Sequence, residues 1–176
     1  MNIVLIGYRG TGKTTIARKL GERLAMQVVS MDEEIVKRAG KPIPEIVKQS
    51  GWNHFRDLES DVAGDFAHRD GLIIDAGGGI VVRPENIESL KTNGLIFWLV
   101  ADEETIISRI MYDRQRPSLS GTKSFVDEVS EILAERTPKY RAAADHIIDT
   151  AKNSVDEAVE AIIQIVSQDT AKPDRS

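Results

Sequence analysis

The residues best suited to chemistry lie near the start of the chain. Residues 7–14 read Gly-Tyr-Arg-Gly-Thr-Gly-Lys-Thr, with the spacing G-x-x-x-x-G-K-[ST] of a loop that binds nucleotide phosphates. Glycines let backbone amides point at the phosphates, and the following helix N-terminus adds a positive dipole end. Lys13 would contact the β- and γ-phosphates, and the Thr14 hydroxyl would bind Mg²⁺. The predicted nucleotide-binding residues in this loop are Gly10, Thr11, Gly12, Lys13, Thr14 and Thr15.

The segments on either side of the loop favour this interpretation over a chance glycine turn. The apolar run at 2–6 predicts a buried strand, and residues 15–26 predict a helix with one apolar face. Strand, glycine loop and helix are the structural context that the motif requires.

Short apolar runs alternate with helical patterns along the rest of the chain. The predicted strands are residues 3–6, 27–30, 72–75, 95–100 and 146–149. The predicted helices include residues 15–26, 32–39, 52–68, 103–112, 124–142 and 154–167. Continuous apolar strands are typical of parallel sheets covered on both faces. We therefore predict an α/β fold, a three-layer, doubly wound, five-stranded parallel sheet with ligands at the carboxyl ends of its strands.

Composition restricts the class of protein further. The chain has 176 residues, of which 41% are hydrophobic and 29% charged, so we expect one domain over 1–168 and a disordered polar tail at 169–176. A net charge of −5 argues against a broad nucleic-acid surface, and the longest apolar run, 95–101, is too short to span a bilayer. The absence of cysteine fits a reducing compartment, and no signal peptide is visible. We expect a cytoplasmic monomer without nucleic-acid or membrane partners.

Further motifs follow the loop in a fixed order. They are Ser30-Met31-Asp32, Phe55-Arg56, Asp75-Ala76-Gly77-Gly78-Gly79, Arg83-Pro84, Arg116-Pro117-Ser118-Leu119 and Arg136-Thr137-Pro138-Lys139-Tyr140. Taken together and in this order, they resemble the shikimate kinases from about residue 2 to about residue 150. The resemblance implies a P-loop fold like that of nucleoside monophosphate kinases, with a substrate-binding segment at about 32–60 and a lid at about 112–124. It also implies transfer of the ATP γ-phosphoryl group to the 3-hydroxyl of shikimate, a step of aromatic amino-acid biosynthesis.

The resemblance implies roles for individual residues. Asp32 would bind the shikimate hydroxyls and could act as a base, and Arg116 in the lid would contact the phosphates, while Arg109 would pack on adenine. The remaining substrate-binding residues would be Arg56, Gly77, Gly78, Gly79 and Arg136. Glu59 would orient Arg56.

The residues themselves leave alternatives open. Asp32 could be a helix N-cap, and Arg56, Arg109 and Arg136 could each be solvated surface residues. The pair of Arg56 and Glu59 could be an ordinary surface pair.

Departures from the usual family pattern concern the metal. The family usually has Asp-x-Asp after the second strand, and here the first position is Ser30. Asp75 ends the third strand, where the family often has a small residue. Mg²⁺ prefers oxygen ligands and keeps several waters. We hypothesise that Asp75, together with Thr14, serves the metal in place of the missing aspartate; the alternative is a cap for the next turn.

The predicted activity is therefore an ATP- and Mg²⁺-dependent shikimate kinase. One alternative is a P-loop kinase of another small hydroxy acid such as gluconate, which the paired arginines and the glycine run disfavour. The other is a catalytically silent nucleotide-binding homologue. The presence of Lys13, Thr14, Asp32 and Arg136 disfavours it, whereas Ser30 keeps it open.

Overall fold

The computed structural model describes residues 1–111 and 125–170. The strands are β1 (Asn2–Ile6), β2 (Gln27–Ser30), β3 (Leu72–Asp75), β4 (Gly94–Val100) and β5 (His146–Asp149). The helices are α1 (Lys13–Leu24), α2 (Met31–Ala39), α3 (Ile43–Ala67), α4 (Pro84–Lys91), α5 (Glu103–Met111), α6 (Phe125–Ala143) and α7 (Val155–Thr170), with a 3₁₀ turn at Ile80–Val82.

The five strands form one parallel sheet in the order β2-β3-β1-β4-β5. The predicted five-stranded, doubly wound α/β fold is confirmed. In the register of the sheet, Asp75 pairs with Leu5 of β1 on one side and with Ser30 of β2 on the other. The carboxyl ends of these three strands are therefore level, and the segments that follow them meet at one edge of the sheet.

Alternating strand residues supply two separate cores. Ile3, Leu5 and Ile73 pack with α1 and α7 on one face. Val4, Ile6 and Ile74 pack on the other face with apolar residues of α2, α3, α4 and α6. Because side chains of a strand alternate between the two faces of a sheet, burying both faces requires the continuous apolar runs seen in the sequence.

Two helical segments were not among the predicted helices. One is α4, and the other is the first part of α3. The two parts of α3 meet at Gly51, whose dihedral angles of φ 79° and ψ 170° are not helical.

The last helix, α7, runs to Thr170, so residues 169 and 170 are helical although we expected them in the tail. The predicted lid at 112–124, with Arg116, and residues 171–176 lie outside the described residues. Among the helices that the structure describes, none has both the length and the apolar character to cross a membrane.

Replacing glycine by alanine should change the free energy of unfolding in opposite directions at two positions of α3. A Cβ on Gly64 would meet nothing within 4 Å, so Gly64→Ala should raise the free energy of unfolding by about 0.5–1 kcal/mol. Gly51 has dihedral angles that only glycine adopts readily, so Gly51→Ala should lower the free energy of unfolding by about 1–3 kcal/mol. Urea unfolding of both variants measures these changes. A shift of the same sign in both would contradict the assigned backbone conformations.

Candidate active site

The P-loop has the backbone that its sequence predicts. Gly10 and Gly12 adopt φ values of 80° and 90°, and α1 begins directly after Gly12. The Lys13 ammonium donates hydrogen bonds to the carbonyl oxygens of Gly7 at 2.8 Å and Tyr8 at 3.0 Å. The Thr11 hydroxyl donates to the same Tyr8 carbonyl at 2.7 Å. The loop therefore curls around the lysine ammonium at the N-terminus of a helix, an arrangement suited to phosphate.

Two oxygen-bearing side chains meet beside the loop. The Thr14 hydroxyl donates a hydrogen bond of 2.6 Å to Asp75 Oδ2. Asp75 is nearly buried and pairs with Ser30 in the sheet, so acids at these two strand ends would lie side by side. Within the described chain, no group of three or more His, Cys, Asp or Glu side chains could hold a metal. This sparse set of oxygens fits Mg²⁺, which takes one or two protein oxygens together with substrate phosphates and waters.

The start of α2 distinguishes the roles of Ser30 and Asp32. Ser30 is the N-cap, and its hydroxyl accepts a hydrogen bond from the Glu33 amide at 3.3 Å. The alternative in which Asp32 caps this helix is therefore wrong. The carboxylate of Asp32 points instead toward the glycine run, because its Oδ1 would lie 2.8 Å from a Cβ placed on Gly77.

Arg56 and Glu59 form a buried ion pair on α3. Arg56 Nη1 donates to Glu59 Oε2 at 2.7 Å, and the side chains are only 11% and 1% exposed. The guanidinium lies 5.5 Å and 5.2 Å from the ring centroids of Trp52 and Phe55. The alternatives in which Arg56 is a solvated residue and Glu59 a surface partner are wrong.

Electrostatics tie this pair to the other charged groups. Burial raises the pKa of Glu59 above its usual value; Arg56 opposes the rise, Asp32 adds to it, and Arg136 also opposes it. The Glu59 carboxylate therefore interacts electrostatically with Arg56, Arg136 and Asp32, so these four charged side chains lie in one region.

The glycine run, Gly77–Gly79, lies where these groups converge. A Cβ on Gly77 would also approach Glu59, at 3.4 Å, and one on Gly79 would lie 2.0 Å from Arg56 Nη1. The Gly78 carbonyl oxygen accepts a hydrogen bond from Arg136 Nη1 at 3.0 Å. A larger residue at position 79 would displace the guanidinium, so the run cannot be only a flexible turn.

Arg136 and the glycine amides offer donors for an anion. Arg136 Nε is buried and has no hydrogen-bond partner among the described residues. Among the described residues, no backbone carbonyl accepts a hydrogen bond from the amides of Gly77, Gly78 or Gly79. Two guanidinium groups and a short stretch of amides beside the P-loop are suited to binding a carboxylate.

A cavity of about 330 Å³ lies on the other side of the P-loop, with Thr11, Thr15, Arg109, Thr150 and Asn153 in its wall. Arg109 is an exposed residue whose guanidinium donates to the Gly10 carbonyl at 3.1 Å and to the Thr150 carbonyl at 2.8 Å. The Thr150 hydroxyl donates to the Thr11 carbonyl at 2.9 Å. The sequence reasoning missed Thr150 and Asn153, although both follow the carboxyl end of β5, where ligands of this fold bind.

The family model described as shikimate kinase matches residues 9–167. The chain belongs to the shikimate kinase family. The shikimate kinase of Syntrophus aciditrophicus is 40% identical over 93% of this chain and 89% of its own length. That of Pelotomaculum thermopropionicum is 38% identical over 95% of this chain and 96% of its own length.

Solved structures of the shikimate kinase family agree with the fold. Shikimate kinase from Acinetobacter baumannii, in complex with shikimate, is 31% identical to this chain. It matches with a TM-score of 0.89 over 97% of this chain and 95% of that one. Shikimate kinases are ATP-dependent kinases, so the chain is an ATP-dependent phosphotransferase, and its family implies a divalent metal.

The raised pKa of Glu59 predicts how stability depends on pH. The folded chain binds the Glu59 proton more tightly than the unfolded chain does. The stabilisation from this group is therefore complete below its unfolded pKa of 4.5 and is lost as pH rises through the raised folded value. Glu59→Gln removes this pH-dependent contribution. As pH rises from 4.5 through the raised folded pKa of Glu59, the free energy of unfolding of the variant should therefore increase relative to that of wild type. Urea unfolding at a series of pH values measures it.

Glu34→Gln is the matched control. A hydrogen bond from Arg38 lowers the pKa of Glu34, so that group stabilises the fold above its unfolded pKa and loses the effect as pH falls. The stability of Glu34→Gln relative to wild type should therefore decrease as pH rises. A relative stability of Glu59→Gln that is independent of pH would contradict the raised pKa.

Proposed function

We propose that the chain transfers the γ-phosphoryl group of ATP to the 3-hydroxyl of shikimate, giving shikimate 3-phosphate and ADP. The observation that carries the proposal is the convergence of Arg56, Arg136 and Asp32 on the glycine run, beside the P-loop. This combination supplies a site for a carboxylate and a site for hydroxyls within one acceptor pocket. The A. baumannii enzyme, which shares this fold, is known in complex with shikimate.

In the proposed complex, Arg56 and Arg136 bind the shikimate carboxylate. A planar guanidinium can present two parallel N–H donors to a carboxylate, which fixes its orientation as well as its charge. Glu59 holds Arg56 in place through Nη1. Gly77, Gly78 and Gly79 let the ring approach the backbone closely, since they carry no side chain to exclude it.

Asp32 orients the acceptor hydroxyl and could accept its proton. Phosphoryl transfer needs the attacking oxygen in line with the γ-phosphate, and it needs little covalent chemistry from the protein. A carboxylate near the hydroxyl is therefore sufficient if the two substrates are held in position.

The nucleotide side of the site stabilises the transferring charge. Lys13 and the P-loop amides of Gly10–Thr15 hold the phosphates, and the family resemblance implies that Arg116, in the predicted lid at 112–124, would also contact them. A bound Mg²⁺ would neutralise negative charge that develops on the transferring phosphoryl group. Thr14 would bind this ion directly, and Asp75 would hold its waters. Arg109 and the cavity beside it would receive adenine.

Other expectations from the sequence stay predictions. They are the single kinase domain over 1–168, the substrate-binding segment at about 32–60, the disordered tail beyond residue 170, the monomeric state, the cytoplasmic location and the absence of nucleic-acid partners.

Measuring ADP release in a coupled assay with three acceptor conditions tests the proposed activity. We expect rapid turnover with shikimate, and only slow ADP release with gluconate or without an acceptor. Lys13→Ala should lose activity on the order of a thousandfold in kcat, because it removes a charge from the phosphoryl-transfer transition state. Its circular dichroism should match wild type, which separates lost chemistry from lost folding.

The same assay distinguishes the alternatives. Faster turnover with gluconate than with shikimate would replace the substrate assignment. Nucleotide binding without turnover on either acceptor would favour the catalytically silent homologue.

A second test concerns the role of Asp75. Asp75→Asn keeps the shape and the acceptor for Thr14 but removes the charge, so the Mg²⁺ concentration for half-maximal activity should rise on the order of tenfold. Calorimetric titration of ADP with and without Mg²⁺ should show the same loss without requiring turnover.

Ser30→Asp is the matched partner in this test. Aspartate caps helices as well as serine does, so α2 should keep its N-cap. Ser30→Asp with Asp75→Asn places the acid on the neighbouring strand end and should recover part of the loss as non-additivity in a double-mutant cycle. An unchanged Mg²⁺ midpoint in Asp75→Asn would assign Asp75 a purely structural role.

A further inference from the structure

Tyr140 is a buried residue of the site to which neither the sequence reasoning nor the proposed mechanism gives a role. Its side chain is 1% exposed, and its ring stacks on Trp98 of β4 with centroids 5.9 Å apart and an angle of 19°. The phenol hydroxyl donates a hydrogen bond to the Gly78 carbonyl oxygen. A tyrosine fixed by stacking in the core therefore reaches the glycine run with its one polar atom.

Arg136 donates to the same carbonyl oxygen, at 3.0 Å from Nη1. Arg136 and Tyr140 are four residues apart on α6, so they lie on one face of that helix. One backbone oxygen thus accepts two hydrogen bonds, one from the arginine proposed to bind the substrate and one from the tyrosine.

Holding the Gly78 carbonyl orients the peptide group that follows. A trans peptide is planar, so its carbonyl and the N–H of the next residue point in opposite directions. Fixing the Gly78 oxygen therefore fixes the direction of the Gly79 amide, and Gly79 lies directly beside the Arg56 guanidinium. Glycine has less conformational preference than any other residue, so the conformation of a glycine run depends on contacts such as these hydrogen bonds.

We propose that Tyr140 is a positioning residue of the acceptor site: its hydroxyl, together with Arg136, holds the Gly78 carbonyl and so orients the Gly79 amide and the Arg136 fork toward the substrate carboxylate. This inference rests on the proposed function. Burial raises the pKa of Tyr140 to about 12, so the phenol keeps its donor proton at any pH at which the enzyme is assayed. The anchor is therefore permanent rather than switchable.

Tyr140→Phe tests the proposal, because it keeps the ring on Trp98 and removes only the hydroxyl. We expect the KM for shikimate to rise about threefold to tenfold, the effect of losing one buried hydrogen bond. The KM for ATP and kcat should each change by less than about twofold. Direct titration of shikimate by calorimetry should show the same loss of affinity.

A double-mutant cycle tests whether the hydroxyl acts through Arg136. Arg136→Lys keeps the charge and loses the planar fork. If both side chains act on one carbonyl, the KM increase in Tyr140→Phe with Arg136→Lys should be smaller than the product of the single increases. Multiplicative effects would contradict a shared anchor.

Thr150→Val is the matched removal of a buried hydroxyl on the nucleotide side. It deletes the hydrogen bond to Thr11 and should leave the KM for shikimate unchanged. Wild-type turnover with shikimate is measured first: its absence would contradict the proposed function. Wild-type turnover together with an unchanged shikimate KM in Tyr140→Phe would overturn the role of Tyr140 alone.

Discussion

The acceptor half of the site depends on one buried negative charge. The Glu59 carboxylate is almost completely inaccessible to water, and a buried charge without a partner would cost several kcal/mol. Arg56 supplies that partner, and its guanidinium lies against the rings of Trp52 and Phe55. A guanidinium has five N–H donors, so one bond to Glu59 leaves others for an anion. Glu59 thus fixes the arginine without using up its capacity to bind.

The glycine run converts this charge arrangement into a binding surface. Asp32 and Glu59 approach Gly77, Arg136 and Tyr140 bond to the Gly78 carbonyl, and Arg56 covers Gly79. These groups come from α2, α3 and α6, which are distant in sequence. The parallel sheet aligns the ends of β2 and β3, which brings Asp32 to the glycine run, and packing of Tyr140 on Trp98 brings α6 there. Any side chain on Gly79 would displace the Arg56 guanidinium, so the position of this charge depends on a glycine at position 79.

The fold could be predicted almost completely because each strand is a short apolar run, and the observed strands differ by at most one residue from the predicted ones. The helix α4 and the start of α3 escaped prediction because Pro42, Pro44, Gly51 and Pro84 there are typical of turns as well as of helix ends. The family resemblance assigned Asp32 and Arg56 to the site. The local sequence could not show whether the side chains of Arg56 and Glu59 are exposed or buried. That difference depends on aromatic rings and on the glycine run, which are brought in by tertiary packing. Ser30 as the cap of α2 likewise depends on where the helix begins, which sequence patterns locate least well.

The non-helical backbone at Gly51 separates α3 into two mechanical parts. The part after Gly51 carries Arg56 and Glu59 and is anchored in the core by Phe55, Val62 and Phe66, whereas the part before it buries only Ile46. Rotation about the glycine can absorb displacements of the outer part, since no Cβ there resists the change of dihedral angle. The ion pair therefore lies on the part of α3 that is anchored in the core, and a break in the helical backbone separates it from the outer part.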